Sequence, residues 1–188
     1  MSNTDLRNYL NLYNSMSEKN RKIVYVIMFF LGISILIWEV EIYRQTFIDW
    51  KIPLSILIIS GFLAFTIDFK NFKKTYNYKI KEAYFYSIFF YFIGFGSIIC
   101  STFLLINFYL SDPKIEKHSC VIVERSEISG GKGARKSQPT FIINYKGKNK
   151  ELVFNSRYLW KKQFYSEVEI ISQKGYFGFD VIIEQKLK

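Results

Sequence analysis

Apolar positions along the chain fall into two regimes. From Ile23 to Leu110 nearly every residue is apolar or aromatic, broken by two short polar stretches, whereas after Ser111 apolar and charged residues alternate. A hydrocarbon core of about 30 Å needs about 20 helical residues. Residues 23–42, 51–68 and 84–110 reach that length, the first by recruiting Val40 and Ile42, the second with flanking aromatic and snorkelling groups. The expectation is an integral membrane α-helical region over 23–110 with about three transmembrane helices.

Local signals mark the ends of these runs. Pro53 suits a first helical turn, because its missing N–H would be unpaired there anyway. Asp112-Pro113 ends the third run, since a residue before proline is pushed out of the helical region. Glu39 reads as an interfacial carboxylate beside Trp38, with a proton or cation site as the alternative. On the third helix Gly94, Ser97 and Ser101 fall at i, i+3 and i+7, and Gly96 with Cys100 at i, i+4. Such small-residue seams let backbones approach closely, so they are the expected helix-packing positions, including packing between copies. Residues 1–22 form a tail in which Leu6, Leu10 and Tyr13, after Thr4 and Asp5, predict a short interfacial helix, with a frayed tail as the alternative. A cleavable signal is not expected, because Trp38-Glu39 stands where a small residue is needed. Ser97-Ile98-Ile99 before Cys100 likewise puts a bulky residue where a lipidation site requires a small one.

Period-two alternation takes over in residues 114–188 and predicts a soluble β domain. Strands are expected near 119–128, 140–145, 151–154, 168–172 and 179–184. Lys146-Gly147-Lys148-Asn149 reads as a hairpin turn, Gly175 and Gly178 supply turn conformations, and 157–165 is either one helical turn or an irregular link. Five short strands in about 70 residues suggest a small all-β domain of the SH3-like or OB-like kind, a partly closed barrel. Its core is thin enough to lean on the helices or on copies of itself.

The chain carries 26 Lys and Arg against 16 Asp and Glu. Much of the excess flanks the apolar runs, so no nucleic acid is expected as a partner. Its distribution carries the orientation: Arg7, Lys19, Arg21 and Lys22 precede the first run, the first connection is poor in cations, and Lys70, Lys73, Lys74, Lys79 and Lys81 crowd the second. Basic flanks stay in the cytoplasm. The N-terminus is therefore expected inside and residues 114–188 outside. The 14 Tyr and 19 Phe suit membrane interfaces, and membrane lipids are expected partners.

Gly130-Gly131-Lys132-Gly133-Ala134-Arg135-Lys136-Ser137 departs from a phosphate-binding loop at Arg135 and leads into Pro139 and a strand rather than a helix. It reads as a flexible hairpin loop, or as a basic finger in which Lys132, Arg135 and Lys136 touch phosphate headgroups or an acidic partner. Trp160, Lys161 and Lys162 form a second candidate contact with headgroups or a partner, with a solvated face as the bland reading. His118 is the only histidine, which excludes multi-histidine metal sites. Cys120 lies two residues away without an evident orienting third group. No catalytic, cofactor-binding or metal-ligating residue is expected, and the chain is not expected to be an enzyme.

With its order of parts, and through Cys120-Val121-Ile122-Val123-Glu124 and Pro139-Thr140-Phe141-Ile142-Ile143-Asn144-Tyr145-Lys146-Gly147-Lys148, the C-terminal third resembles a loose group of bacterial membrane proteins of unknown function. In these, transmembrane helices precede a small β domain. The resemblance brings no catalytic residues. In layout the chain is also similar to anti-phage effectors that join membrane helices to a ligand-sensing β-barrel and permeabilise the membrane. The expected function is a non-enzymatic envelope protein of the bacterial inner membrane. Its extracytoplasmic β domain would bind a protein partner, as an accessory subunit or a toxin-immunity protein. The alternatives are a membrane-disrupting effector and, for the partner, a second copy of the chain.

Overall fold

The computed structural model describes residues 16–129 and 136–188. Leu6, Leu10, Tyr13, Lys132 and Arg135 therefore lie outside the described residues. The chain divides into two compact units, one running to Glu39 and resuming over Asp49–Phe103, the other formed by Val40–Ile48 with Leu104–Lys188.

Three helices supply the first unit. They are α1 (Glu18–Arg44), α2 (Lys51–Tyr76) and a third, Ile80–Tyr109, each long and apolar enough to cross a membrane. Large apolar side chains such as Ile27, Phe30, Ile37, Ile59 and Ile67 stand exposed on their surfaces. The third helix starts four residues earlier than expected. Its first turn is capped by the Glu82 carboxylate, which accepts from the Lys79 N–H at 3.2 Å. It is also interrupted: α3 (Ile80–Phe89) passes through a π-helical stretch, Phe90–Gly96, into α4 (Ser97–Tyr109).

That stretch carries both glycines of the predicted seam, and here they pack within one chain. A Cβ placed on Gly32 of α1 would lie 2.3 Å from the Gly94 carbonyl oxygen, and one on Gly96 would lie 2.7 Å from that of Leu57 in α2. Backbone meets backbone at both places. Beside them Tyr25, Phe72, Phe90 and Tyr91 form an aromatic cluster. Within it the Tyr25 and Tyr91 hydroxyls donate to one Asp68 carboxylate oxygen at 2.7 and 2.8 Å.

The second unit is built on a five-stranded antiparallel sheet curled into a half-barrel. Its strands are β1 (Ile115–Ile128), β2 (Gln138–Tyr145), β3 (Lys148–Val153), β4 (Glu167–Lys174) and β5 (Asp180–Leu187), in the order β3-β2-β1-β4-β5. Curvature comes from β1, whose first half pairs with β4 and whose second half pairs with β2 across a register shift between Ile122 and Glu124. Phe141, Ile143, Val168 and Ile170 fill the concave side and are fully buried. Lys146 and Gly147 join β2 to β3 with φ of 48° and 82°, the two positive values that a two-residue primed turn needs. The link after β3 resolves into a 3-10 helix, Ser156–Lys161, started by the Asn155 side chain accepting from the Arg157 N–H at 3.0 Å.

If the Gly32–Gly94 contact fixes the bundle, Gly32→Leu should cost on the order of 1–3 kcal/mol or more from overpacking. The expected result is a clear drop in the thermal midpoint in detergent, followed by circular dichroism. Leu31→Ala, at an exposed neighbouring position, should shift it by no more than a degree or two.

Candidate functional site: the gap between two strand edges

The strand order leaves β3 and β5 as the two edges of the half-barrel, and successive antiparallel pairings make them run parallel to each other. One end of the gap between them is filled by the chain itself. After α1 ends, residues 45–47 lie along β5: the Phe47 N–H donates to the Asp180 carbonyl at 2.8 Å and the Ile182 N–H to the Gln45 carbonyl at 2.7 Å. Thr46 bridges Val181 antiparallel. The Phe47 ring stacks on Tyr145 of β2 with centroids 3.8 Å apart.

From the other edge, Lys150 of β3 reaches the same segment. Its Nζ donates to the carbonyls of Thr46 and Tyr43 at 2.8 and 3.0 Å and stands 4.8 Å from the Tyr43 ring. A cation suits the last turn of a helix, where carbonyls are unpaired and the macrodipole is negative. Thr46 completes the cap, its hydroxyl donating to the Ile42 carbonyl at 2.8 Å. Burial, and after it the charge of Arg44, push the Lys150 amine down to about 8. The last turn of α4 is tied down similarly. The Asn107 side chain donates to the Phe179 carbonyl and accepts from the Phe177 N–H, both at 3.0 Å.

Beyond residues 45–47 the gap is open. A cavity of about 240 Å³ is lined by Glu41, Arg44, Glu151, Val153, Ile183 and Glu184 among others. A second, of about 490 Å³, continues past Phe154, Arg157, Tyr158, Lys186 and Leu187. Gln185 Nε2 crosses the gap to the Val153 carbonyl at 2.9 Å.

The Arg157 end of the gap leads into the 3-10 segment, which carries Trp160 and Lys161, with Lys162 directly after it. Trp160 is 90% exposed and Phe164 is 83% exposed. Lys161 is exposed, Lys162 pairs with Glu127 at 3.3 Å, and the Arg157 guanidinium lies 4.8 Å from the Tyr158 ring centre. Lys136, the described member of the basic finger, is exposed.

The remaining candidates sit in the helical unit. Glu39 is 8% exposed, so it is not the interfacial carboxylate expected from its place beside Trp38. Small residues one helix over explain the difference. Ser101 Oγ donates to one Glu39 carboxylate oxygen, and Cys100 Sγ lies 3.1 Å from the other and 3.4 Å from the Pro53 carbonyl. Ser97 Oγ is buried beside them on the sequence without a hydrogen-bond partner. Thus Ser97, Cys100 and Ser101 line packed helix faces, two of them as donors to a buried acid. Among the described residues no cluster of three or more His, Cys, Asp or Glu is placed to hold a metal ion. His118 contacts Glu116 at 3.2 Å, while Cys120 is buried in the core and burial pushes its thiol up, away from the reactive thiolate form.

Sequence reasoning missed Lys150, residues 45–47 and Asn107. Lys150 has no signal beyond ordinary alternation in a strand, because its partners are more than a hundred residues away. Asn107, an amide at the end of an apolar run, was a usable one. No family model matches the chain, and neither the curated proteins nor the solved structures contain a match to it.

Two outcomes follow. Because the folded Lys150 value of about 8 lies below the ordinary 10.5, its ionisation contributes stability that is complete above pH 10.5 and lost as pH falls through about 8. The thermal midpoint of the wild type minus that of Lys150→Met should therefore rise from pH 8 to 10.5, and a flat difference would refute the linkage. Asn107→Leu removes both side-chain bonds to the turn before β5. It should lower stability by about 1–3 kcal/mol in the same assay, through the loss of two part-buried hydrogen bonds.

Proposed function

We propose that the chain is a non-enzymatic protein of the bacterial inner membrane whose β domain binds a protein partner, as an accessory subunit or as a neutralising immunity protein. The observation that carries this is the exposed pair Trp160 and Phe164, a few residues along the chain from Arg157 and Tyr158, which line the gap between strand edges. Large exposed aromatic side chains with an arginine close in sequence have the composition of binding hot spots. Membrane insertion is supported by three helices whose outer surfaces are apolar; in water, exposed Ile, Leu and Phe on that scale would drive aggregation.

The basic, poor, basic pattern of flanking charge supports a cytoplasmic N-terminus and an extracytoplasmic β domain. The strand order supports the OB-like member of the two barrel types. β1 pairs with both β2 and β4, and a helical turn lies between β3 and β4, whereas an SH3-like barrel is a meander of sequence neighbours.

Fusions of alkaline phosphatase and of green fluorescent protein after Lys188 test the orientation. Phosphatase activity without fluorescence is expected, and the reverse would place the β domain inside the cell. Affinity purification of the full chain in mild detergent should recover a partner in fixed ratio. Trp160→Ala with Phe164→Ala should lower that recovery at least tenfold, the equivalent of about 1.4 kcal/mol. Growth arrest on overproduction, with only copies of the chain recovered, would favour the membrane-disrupting alternative instead.

A further inference from the structure

We infer that the open part of the gap between β3 and β5 takes an extended peptide segment of the partner protein as an inserted strand. The inference rests on the partner-binding reading and names its mode. The chain has already built the first part of such a strand. Residues 45–47 occupy one end of the gap, antiparallel to β5, with main-chain bonds to Asp180 and Ile182 and a side-chain tie from Lys150 of β3. Strand addition is therefore a geometry this gap accepts.

Backbone register shows which groups await a partner. Lys188 and Glu167 exchange both main-chain hydrogen bonds, so Lys188 faces β4. Direction alternates along an antiparallel strand. Lys186 and Glu184 thus also face β4, while Leu187 and Gln185 turn their N–H and C=O groups to the gap. Ile182 likewise faces outward and bonds Gln45; the irregularity between Ile171 and Ser172 in the β4–β5 pairing absorbs the change of parity. On the opposite edge, the Phe154 N–H bonds Pro139 of β2, which turns Val153 and Glu151 to the gap.

The Val153 carbonyl is held across the gap by Gln185 Nε2 at 2.9 Å; a strand entering about 4.8 Å from each edge exchanges that link for main-chain bonds. Charge adds a direction. Glu41, Glu151 and Glu184 outnumber Arg44 and Lys150 near residues 45–47, while Arg157 and Lys186 stand at the far end, Glu184 lining both parts and pairing with Lys186 at 2.9 Å. A strand antiparallel to β5 enters at the far end. Its first residues meet cations and its last meet carboxylates, so the segment that fits is acidic first and basic last.

The test uses the full chain in lipid nanodiscs and a phage-displayed library of random twelve-residue peptides, followed by synthetic copies of the enriched sequences. Enriched peptides should place acidic residues before basic ones and should slow hydrogen exchange at the amides of Gln185 and Leu187. Gln185→Pro deletes one gap-facing N–H without touching a bond to β4, and should weaken peptide binding at least tenfold. Gln185→Ala keeps that N–H and should change binding less than twofold. Equal binding to the proline variant, or unchanged exchange at Gln185 and Leu187 in the wild type, overturns the inference, the second readout needing no variant. If peptides fail in this way while Trp160→Ala still loses the co-purified partner, the inserted strand falls and the partner-binding reading stands. If peptides bind as described but Trp160→Ala keeps the partner, the aromatic anchor falls instead.

Discussion

Lys150 is the contact on which the closed side of the half-barrel depends. A sheet with two free edges exposes rows of unpaired backbone groups, a costly and aggregation-prone state. This chain covers part of that exposure with the segment that follows α1, and one half-buried amine holds the segment against the far edge through the carbonyls of Tyr43 and Thr46. The same three donor–acceptor positions cap the helix, so barrel closure and helix termination are satisfied together. Removing either partner leaves the other without its counterpart.

Around this contact the two compact units solve different solvation problems. In the helical unit, whose helices are long and apolar enough to cross a membrane, the contacts seen are close backbone packing and internal satisfaction of polar groups, the two sources of stability that do not need water. Gly32 against Gly94, two tyrosines on Asp68, and Ser101 with Cys100 on Glu39 are the resulting contacts. In the β unit the ordinary hydrophobic effect operates, and Phe141, Ile143, Val168 and Ile170 supply a core of the size expected for so short a domain.

What could be read without coordinates follows the range of the interactions involved. Helices at 23–110 and strands in 114–188 are periodicities of neighbouring residues, and all of them are present, though the third helix begins at Ile80 and β1 begins four residues earlier, at Ile115. Lys146-Gly147 announced its turn by composition, and its two positive φ values agree. Trp160 and Lys161 are conspicuous in the sequence as an aromatic beside a cation, and the structure leaves both exposed. Glu39 was misplaced because its burial depends on Ser101 and Cys100, about sixty residues away, and nothing local distinguishes a wet carboxylate from a dry one. The role of residues 45–47 was invisible for the same reason: three residues between two apolar runs give no hint that they lie along β5.

The π-helical stretch has a consequence for tolerance to change. An α-helix advances about 100° per residue, and a π-helical turn holds more residues than an α-turn, so Phe90–Gly96 sets the angular phase between α3 and α4. Rewinding the stretch into regular α-helix without losing a residue would swing Cys100 and Ser101 by roughly a quarter of a revolution relative to Tyr91. Glu39 would then lose its two donors while Asp68 kept its tyrosines. Drift in this gene should therefore preserve the wide turn, with Phe90, Tyr91, Gly94 and Gly96 held by their packing.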